Sequence, residues 1–256
     1  MMRKLSLNRI HVWSIGLVLC LMSCNTTKFV PQGEYLLNKA NIKVEDTKEV
    51  AISDLKNYLQ QKQNTEILGF WKLQLGIYNT ASLDTAKWTS KNARRIGEAP
   101  VIYAPELTDR SMVQLKKAMQ NKGYFTAQVD TTITVKDRKV NITYHVTAGE
   151  PYIIRRYRVG FEHEELKQIA QDQRRLISEG MQFDVDMLNQ ERQRIARAMR
   201  RNGCYYFDED MIQFIADTTR LKKQVDVTVK LSDYVTQLSP EEQAQVFRHY
   251  KISHVH

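Results

Sequence analysis

The sequence predicts an α+β chain made of two tandem β-α-α-β-β modules, and three observations lead there. Apolar residues in several segments alternate with period two, the pattern of strands with one packed and one wet face. In other segments they recur at i, i+3 and i+7, one stripe of a helix. A group of these residues also returns eighty positions later: Leu115, Ala118, Met119 and Gly123 reappear as Ile195, Ala198, Met199 and Gly203. Such self-similarity marks a repeated structural unit.

The chain opens on a segment of another kind. Arg3, Lys4 and Arg9 stand without an acid ahead of an apolar run from Val12 to Leu21. A basic start and an apolar run too short to span a bilayer describe a secretory leader. It closes on Leu21-Met22-Ser23-Cys24, which resembles a bacterial lipobox. On that reading residues 1–23 are a signal peptide and 24–38 a lipidated linker, with Cys24 acylated as the mature amino terminus. The alternative is a plain signal peptide in which Cys24 is incidental. Each buried methylene contributes about 0.8 kcal/mol, so two or three acyl chains anchor a protein permanently.

The first module is placed at residues 39–149. Asn41 to Val44 reads as a short strand. Asp46 with Glu49 makes a capping pair for a helix striped by Ile52, Leu55 and Leu59. Residues 63–106 form an insertion without counterpart in the second copy. Within it Trp71, Leu73, Leu75 and Ile77 alternate like a strand. Lys87, Trp88, Lys91, Arg94 and Arg95 then make a basic segment that either packs on its own domain or meets lipid headgroups or a partner. Met112, Leu115 and Met119 stripe the next helix, with Thr108 to cap it and Gly123 to stop it. Tyr124 and Phe125 plug the end of the core. Val129, Thr131, Ile133 and Val135 then share one face of a strand. After a turn at Lys136-Asp137-Arg138, Val140, Ile142, Tyr144 and Val146 share the packed face of its hairpin partner, with Asn141, Thr143 and His145 opposed.

The second module is placed at residues 150–233. Pro151 to Val159 is its first strand, and Leu166, Ile169 and Leu176 mark its first helix. Leu188, Ile195 and Met199 stripe the second helix, capped by Asp184 or Asp186 and stopped by Gly203, with Tyr205-Tyr206-Phe207 as plug. Ile212, Phe214 and Ala216 alternate, followed by Val225, Val227, Val229 and Leu231. Residues 234–256 read as a linker and, at Tyr250 to Val255, the opening strand of a truncated third module.

Composition narrows the chemistry. The leader takes three of the 38 Lys and Arg and none of the 29 acids, leaving a net charge of +6 on scattered residues. At about 1 kcal/mol per basic residue near an anionic surface, this is secondary to an acyl anchor, and it gives no reason to expect nucleic acid. Cys20 leaves with the leader and Cys24 carries lipid, so Cys204 stands alone and no intramolecular disulfide forms; it reads as a small buried hydrophobe. No His-Glu-x-x-His, Cys-x-x-Cys, phosphate loop or G-x-S-x-G elbow is present. Neither an enzyme nor a cofactor or metal is therefore expected. Asp208-Glu209-Asp210 reads as a solvated acidic loop in preference to an acid/base pair or cation site.

Several segments together carry a resemblance. Asn121-Lys122-Gly123-Tyr124-Phe125-Thr126-Ala127-Gln128-Val129, then Val140 to Val146, then Gly149-Glu150-Pro151-Tyr152-Ile153 resemble the POTRA domains of the BamA/TamA family of outer-membrane assembly proteins. Glu191-Arg192-Gln193-Arg194-Ile195 ahead of Asn202-Gly203 repeats the signature. Cys24 to Lys28 with Val30 to Leu37 is similar to the lipidated TamA-like branch, TamL. The resemblance implies that each module is a three-stranded mixed sheet covered on one face by two helices, its second strand at the sheet edge. Those edges are Gln128, Val129, Thr131, Ile133 and Val135 in one module and Ile212, Phe214 and Ala216 in the other. It further implies an outer-membrane, lipid-anchored, periplasm-facing scaffold that binds unfolded outer-membrane or surface protein precursors by β-augmentation, with a TamB-like envelope-spanning partner. In that family a β-barrel follows; this chain reads as the amino-terminal POTRA region without it. Two other readings stay open: a passive spacer docking such a partner, and a periplasmic lipoprotein binding a small ligand or cell-wall glycan around Trp71, Tyr78 and Trp88.

Overall fold

A computed structural model describes residues 26–250 apart from 70, 83–85, 172–174, 220–221 and 249. The expected leader and its Cys24, and most of the expected third-module strand, lie outside the described residues. In chain order the elements are β1 (Leu36–Val44), α1 (Ile52–Leu55), α2 (Leu73–Thr80), α3 (Trp88–Ile96), α4 (Pro105–Asn121), β2 (Gln128–Lys136) and β3 (Lys139–Thr147). The second half runs β4 (Ile153–Val159), α5 (Glu164–Ala170), α6 (Val185–Arg201), β5 (Ile212–Asp217), β6 (Gln224–Leu231), α7 (Asp233–Thr236) and α8 (Pro240–Val246).

Two three-stranded sheets result, ordered β1-β3-β2 and β4-β6-β5. In each, the last strand in sequence lies in the middle and runs parallel to the first: β3 to β1, and β6 to β4. β5 pairs antiparallel with β6. The first strands share an irregularity. The register slips between Leu37 and Lys39 in β1 and between Ile154 and Arg156 in β4. The bulged residue then bonds to the central strand, Asn38 Nδ2 to Asn141 Oδ1 at 2.7 Å and Arg155 Nε to Asp226 Oδ1 at 2.8 Å. Same defect, same position: the duplication extends to a detail that helix periodicity does not show.

Alternation decides which face of each sheet is buried. Val140, Ile142, Tyr144 and Val146 are buried while Asn141, Thr143 and His145 are half-exposed, and Val225, Val227 and Val229 are buried in β6. Leu115, Ala118 and Met119 are buried on α4, as are Leu188, Ile195 and Met199 on α6. Asp184 caps α6, its carboxylate accepting from the Asp186 amide at 2.7 Å. Gly123 and Gly203 follow α4 and α6 with φ of +89° and +103°. Only glycine reaches this left-handed region without strain.

The second helices are tied in at equivalent positions. Ser111 on α4 is buried and accepts the Gln60 amide at 2.9 Å. Eighty residues on, Glu191 on α6 is fully buried and accepts the Leu176 amide at 2.9 Å, the Tyr157 hydroxyl at 3.1 Å and Arg194 Nε at 2.8 Å. Arg194 in turn donates to the Ala170 carbonyl at 2.7 Å. Burial, with the Glu191 charge behind it, pushes the Tyr157 hydroxyl well above its ordinary pKa.

Several expectations are corrected. Residues 24–38 are not all linker, because Val30, Leu36 and Leu37 are core and β1 starts at Leu36. Ala51, not Asp46, precedes α1, and no side chain caps it. Trp71 to Ile77 does not form a strand; Leu73 and Ile77, four apart, lie in α2, since a short apolar run fits either period. Pro105 opens α4, its missing N–H harmless in a first turn, so Thr108 lies inside the helix. Leu176 falls beyond α5. Tyr124 is buried and Phe207 joins the second core, whereas Tyr205 and Tyr206 are exposed. Residues from 234 onward are no free linker: Val235 is buried, Phe247 packs on the second core, and the Tyr250 amide donates to the Gly203 carbonyl at 2.9 Å.

The chain divides into two compact units, one holding β1 to β3 and one β4 to β6, and the end of α4 with the loop to Gln128 counts with the second. There Phe125 meets Tyr152 and Phe183 with ring centroids 4.9 and 5.3 Å apart.

A Cβ at Gly123 would stand 2.5 Å from the Phe183 carbonyl oxygen, while at Gly33, φ +82°, it would meet nothing within 4 Å. Chemical denaturation should show Gly33→Ala losing about 1–2 kcal/mol from backbone strain alone and Gly123→Ala distinctly more. Glu191→Ala, which leaves Arg194 without its buried partner, should lose about 3–5 kcal/mol in the same assay.

Candidate functional site: the sheet margins

A three-stranded sheet has two margins, and here each module covers one of them. At β1 the Leu37 amide donates to the Val101 carbonyl at 2.8 Å and the Tyr103 amide to the Tyr35 carbonyl at 2.8 Å, with an antiparallel bridge between Leu36 and Ile102. The Ala40 amide donates to Gln63 Oε1 at 2.5 Å, and Lys72 Nζ donates to the Asn38 carbonyl. Burial holds the Lys72 amine below its ordinary pKa, opposed by Glu66 at 3.7 Å. Side-chain amides fix this cover: buried Asn64 donates to the Ala99 carbonyl at 2.7 Å and accepts the Val101 amide at 3.1 Å.

At β4 the Ile154 amide donates to the Met181 carbonyl at 2.7 Å and the Phe183 amide to the Tyr152 carbonyl at 2.9 Å. Val101 and Met181, and Tyr103 and Phe183, are again eighty positions apart. The cover is thus part of the repeat, which corrects the expectation that residues 63–106 lack any counterpart. The last residues of that stretch have one.

The opposite margins, β2 and β5, are the predicted edge strands. Asp137 and Arg138 have φ of +49° and +59°, a two-residue hairpin turn with both centres left-handed. Such a turn pairs Lys136 with Lys139, so the N–H and C=O groups of Val129, Thr131, Ile133 and Val135 point away from β3. Among the described residues, no backbone group of Gln128–Lys136 or of Ile212–Ala216 bonds outside its sheet.

The side chains differ along these strands. Val129 and Thr131 are half-buried, as the shared face predicts, but Ile133 and Val135 are 42% and 56% exposed, so apolar cover stops partway along β2. On β5, Ile212 is buried, Phe214 is half-buried with the Arg192 guanidinium 5.7 Å from its ring, and Ala216 is exposed. Across the wet face of the first sheet, Thr132 Oγ1 meets His145 Nε2 at 3.1 Å and His145 Nδ1 meets Glu45 at 2.8 Å. The His145 bond, then Lys43, holds the Glu45 carboxyl below its ordinary pKa.

Trp71 closes a tight turn with Ile67, Tyr78 packs edge-on against Phe29 at 5.3 Å, and Trp88 is exposed. Two clefts of about 440 and 460 Å³ lie in the second module, around His163 and Gln243 and around Tyr157 and Arg175, and neither touches those three residues. Asp208 caps a short 3-10 turn, Glu209–Met211. Among the described residues no three His, Cys, Asp or Glu are grouped to hold a metal ion, and no helix is long and apolar enough to cross a membrane. Cys204 is buried, and burial, followed by the charge of Glu165, raises its thiol pKa.

Residues 39–149 match the POTRA family, described as a surface antigen variable number repeat. β4 to β6 with α5 and α6 repeat the topology of the matched segment. Solved structures of similar outline include BamA from Haemophilus ducreyi lacking POTRA domains 1–3, at 16% identity and a TM-score of 0.39, over 77% of this chain and 29% of that one. The POTRA3–5 segment of Haemophilus influenzae BamA aligns at 14% identity and a TM-score of 0.32, over 80% of this chain and 100% of that one. POTRA1–2 of the periplasmic domain of Omp85 from Anabaena aligns at 8% identity and a TM-score of 0.33, over 79% and 98%. These likenesses are loose; the POTRA assignment rests on the family match. A comparison with curated proteins found no match.

Covered and open margins should separate in amide exchange. Leu37, Ala40 and Ile154 should exchange slowly and Thr131 and Ile133 fast, measured residue by residue by NMR; equal protection across each sheet would contradict the assignment.

Proposed function

We propose that this chain is a lipid-anchored, periplasm-facing scaffold of the outer membrane that receives extended segments of unfolded outer-membrane or surface protein precursors by strand addition at β2 and β5. The observation that carries this reading is the asymmetry of the margins. In both modules the first strand is covered by the chain itself and the second is left open. An open edge offers backbone donors and acceptors to any extended chain, so affinity depends little on sequence. Exposed Ile133 and Val135 add a preference: a strand laid beside β2 gains when its own alternate residues are apolar, as in a barrel strand.

Acylation of Cys24 supplies the anchor in this proposal, and a TamB-like envelope-spanning protein is the proposed partner. The family match at 39–149 and the lipobox-like Leu21-Met22-Ser23-Cys24 support both.

Photo-crosslinkers at Thr131 and Ile133 in the full chain, expressed in cells, should trap precursor chains. Thr131→Pro removes one outward donor, worth about 0.5–1.5 kcal/mol, so trapping at Ile133 should fall roughly two- to tenfold. Trapping confined to Trp88, or unchanged by the proline, would reject strand addition at this edge.

A further inference from the structure

The segment just after Cys24 is fastened to the insertion. Lys28 Nζ donates to the carbonyls of Asn79 and Ala81, at 3.0 and 2.6 Å, at the end of α2. The Phe29 ring meets Tyr78 of α2 at 5.3 Å, and the Arg94 guanidinium of α3 stands 5.3 Å from the same ring. Val30 is buried in one cluster with Leu36 and Leu75. Cys24 precedes Phe29 by five residues, and five residues reach at most about 18 Å when fully extended. An acyl chain on Cys24 therefore holds Phe29, and with it the parts of α2 and α3 that it touches, within about that distance of the bilayer surface.

Helix α3 carries the side chains that suit such a position. Trp88, Lys91 and Arg95 fall at i, i+3 and i+7 and are all exposed, Trp88 to 75%. Lys87 and Ile96 beside them are also exposed, whereas Ser90 on the opposite side is buried. No acid occurs in Trp88–Ile96. An indole and three cations on one outward stripe are poorly matched to water alone. They match a phospholipid headgroup layer, where Trp settles at the interface and Lys and Arg meet phosphates.

We propose that α3 lies at headgroup level on the leaflet carrying the acyl chains of Cys24, with Trp88 among the headgroups and Lys87, Lys91 and Arg95 against their phosphates. The inference rests on the acylation proposed above, and its test separates the two. Mass spectrometry of the chain purified from membranes decides acylation. The α3 contact is tested on the chain from Cys24 onward, coupled through Cys24 to a maleimide lipid; Cys204 is buried, so coupling goes to Cys24. Trp71→Phe then leaves Trp88 as the only tryptophan, since Trp13 goes with the leader.

On vesicles of phosphatidylethanolamine and phosphatidylglycerol, Trp88 emission should be quenched by lipids brominated near the headgroup and shielded from aqueous acrylamide. Uncoupled chain should partition onto the same vesicles about fivefold less for each of Lys87, Lys91 and Arg95 changed to Gln, with circular dichroism unchanged. Trp88 fully open to acrylamide on the coupled chain would overturn the proposal whatever the mass spectrum shows. So would shielding that requires an added protein.

Discussion

Backbone N–H and C=O groups at the margin of a sheet must find partners or face water, and most of this structure follows from how that requirement is met. A sheet of three strands has two margins and only one interior strand. Placing the last strand of each module in the middle, parallel to the first and beside the second, leaves the first and second strands as margins. The stretch immediately before each second helix, Val101–Tyr103 ahead of α4 and Gly180–Phe183 ahead of α6, then bonds to the first strand. One margin per module is closed from within, and the open one falls on the same strand both times.

The polar groups buried in each module serve that arrangement. Asn64, Gln63 and Lys72 hold the covering stretch on β1 through side-chain bonds to its backbone and to that of β1. Ser111 and Glu191 occupy equivalent positions on the second helices and accept an amide from the chain that follows the first helix. A neutral hydroxyl suffices in the first module. In the second, a carboxylate takes the place, and its burial is tolerable because Arg194, Tyr157 and Leu176 satisfy both oxygens. The duplicated frame thus keeps the bond and varies the chemistry that makes it.

Where one periodicity ran long enough, the sequence was legible. Val140 to Val146 and Val225 to Val229 alternate through a whole strand, and the burial follows residue by residue. The stripe on α6 was equally readable, as were Gly123 and Gly203, while the choice of Asp184 over Asp186 as cap came from the structure. Short segments were not. Trp71, Leu73, Leu75 and Ile77 satisfy two periods at once, and in the helix that forms Leu75 packs with Val30 and Leu36. Glu191 sits on the apolar stripe of α6 between Leu188 and Ile195, and a lone acid on a buried face was the available sign of the network it anchors.

By itself the sequence determined the order of the main elements in the two described modules, which faces are apolar and where glycine must end a helix, because these depend on local conformation and on patterns of neighbours. Only the tertiary structure decided which margins are closed, that the segment after Cys24 is bound to the insertion, and that Ser111 and Glu191 are equivalent. Those features join residues tens of positions apart through single hydrogen bonds, and no local preference of either partner records the other.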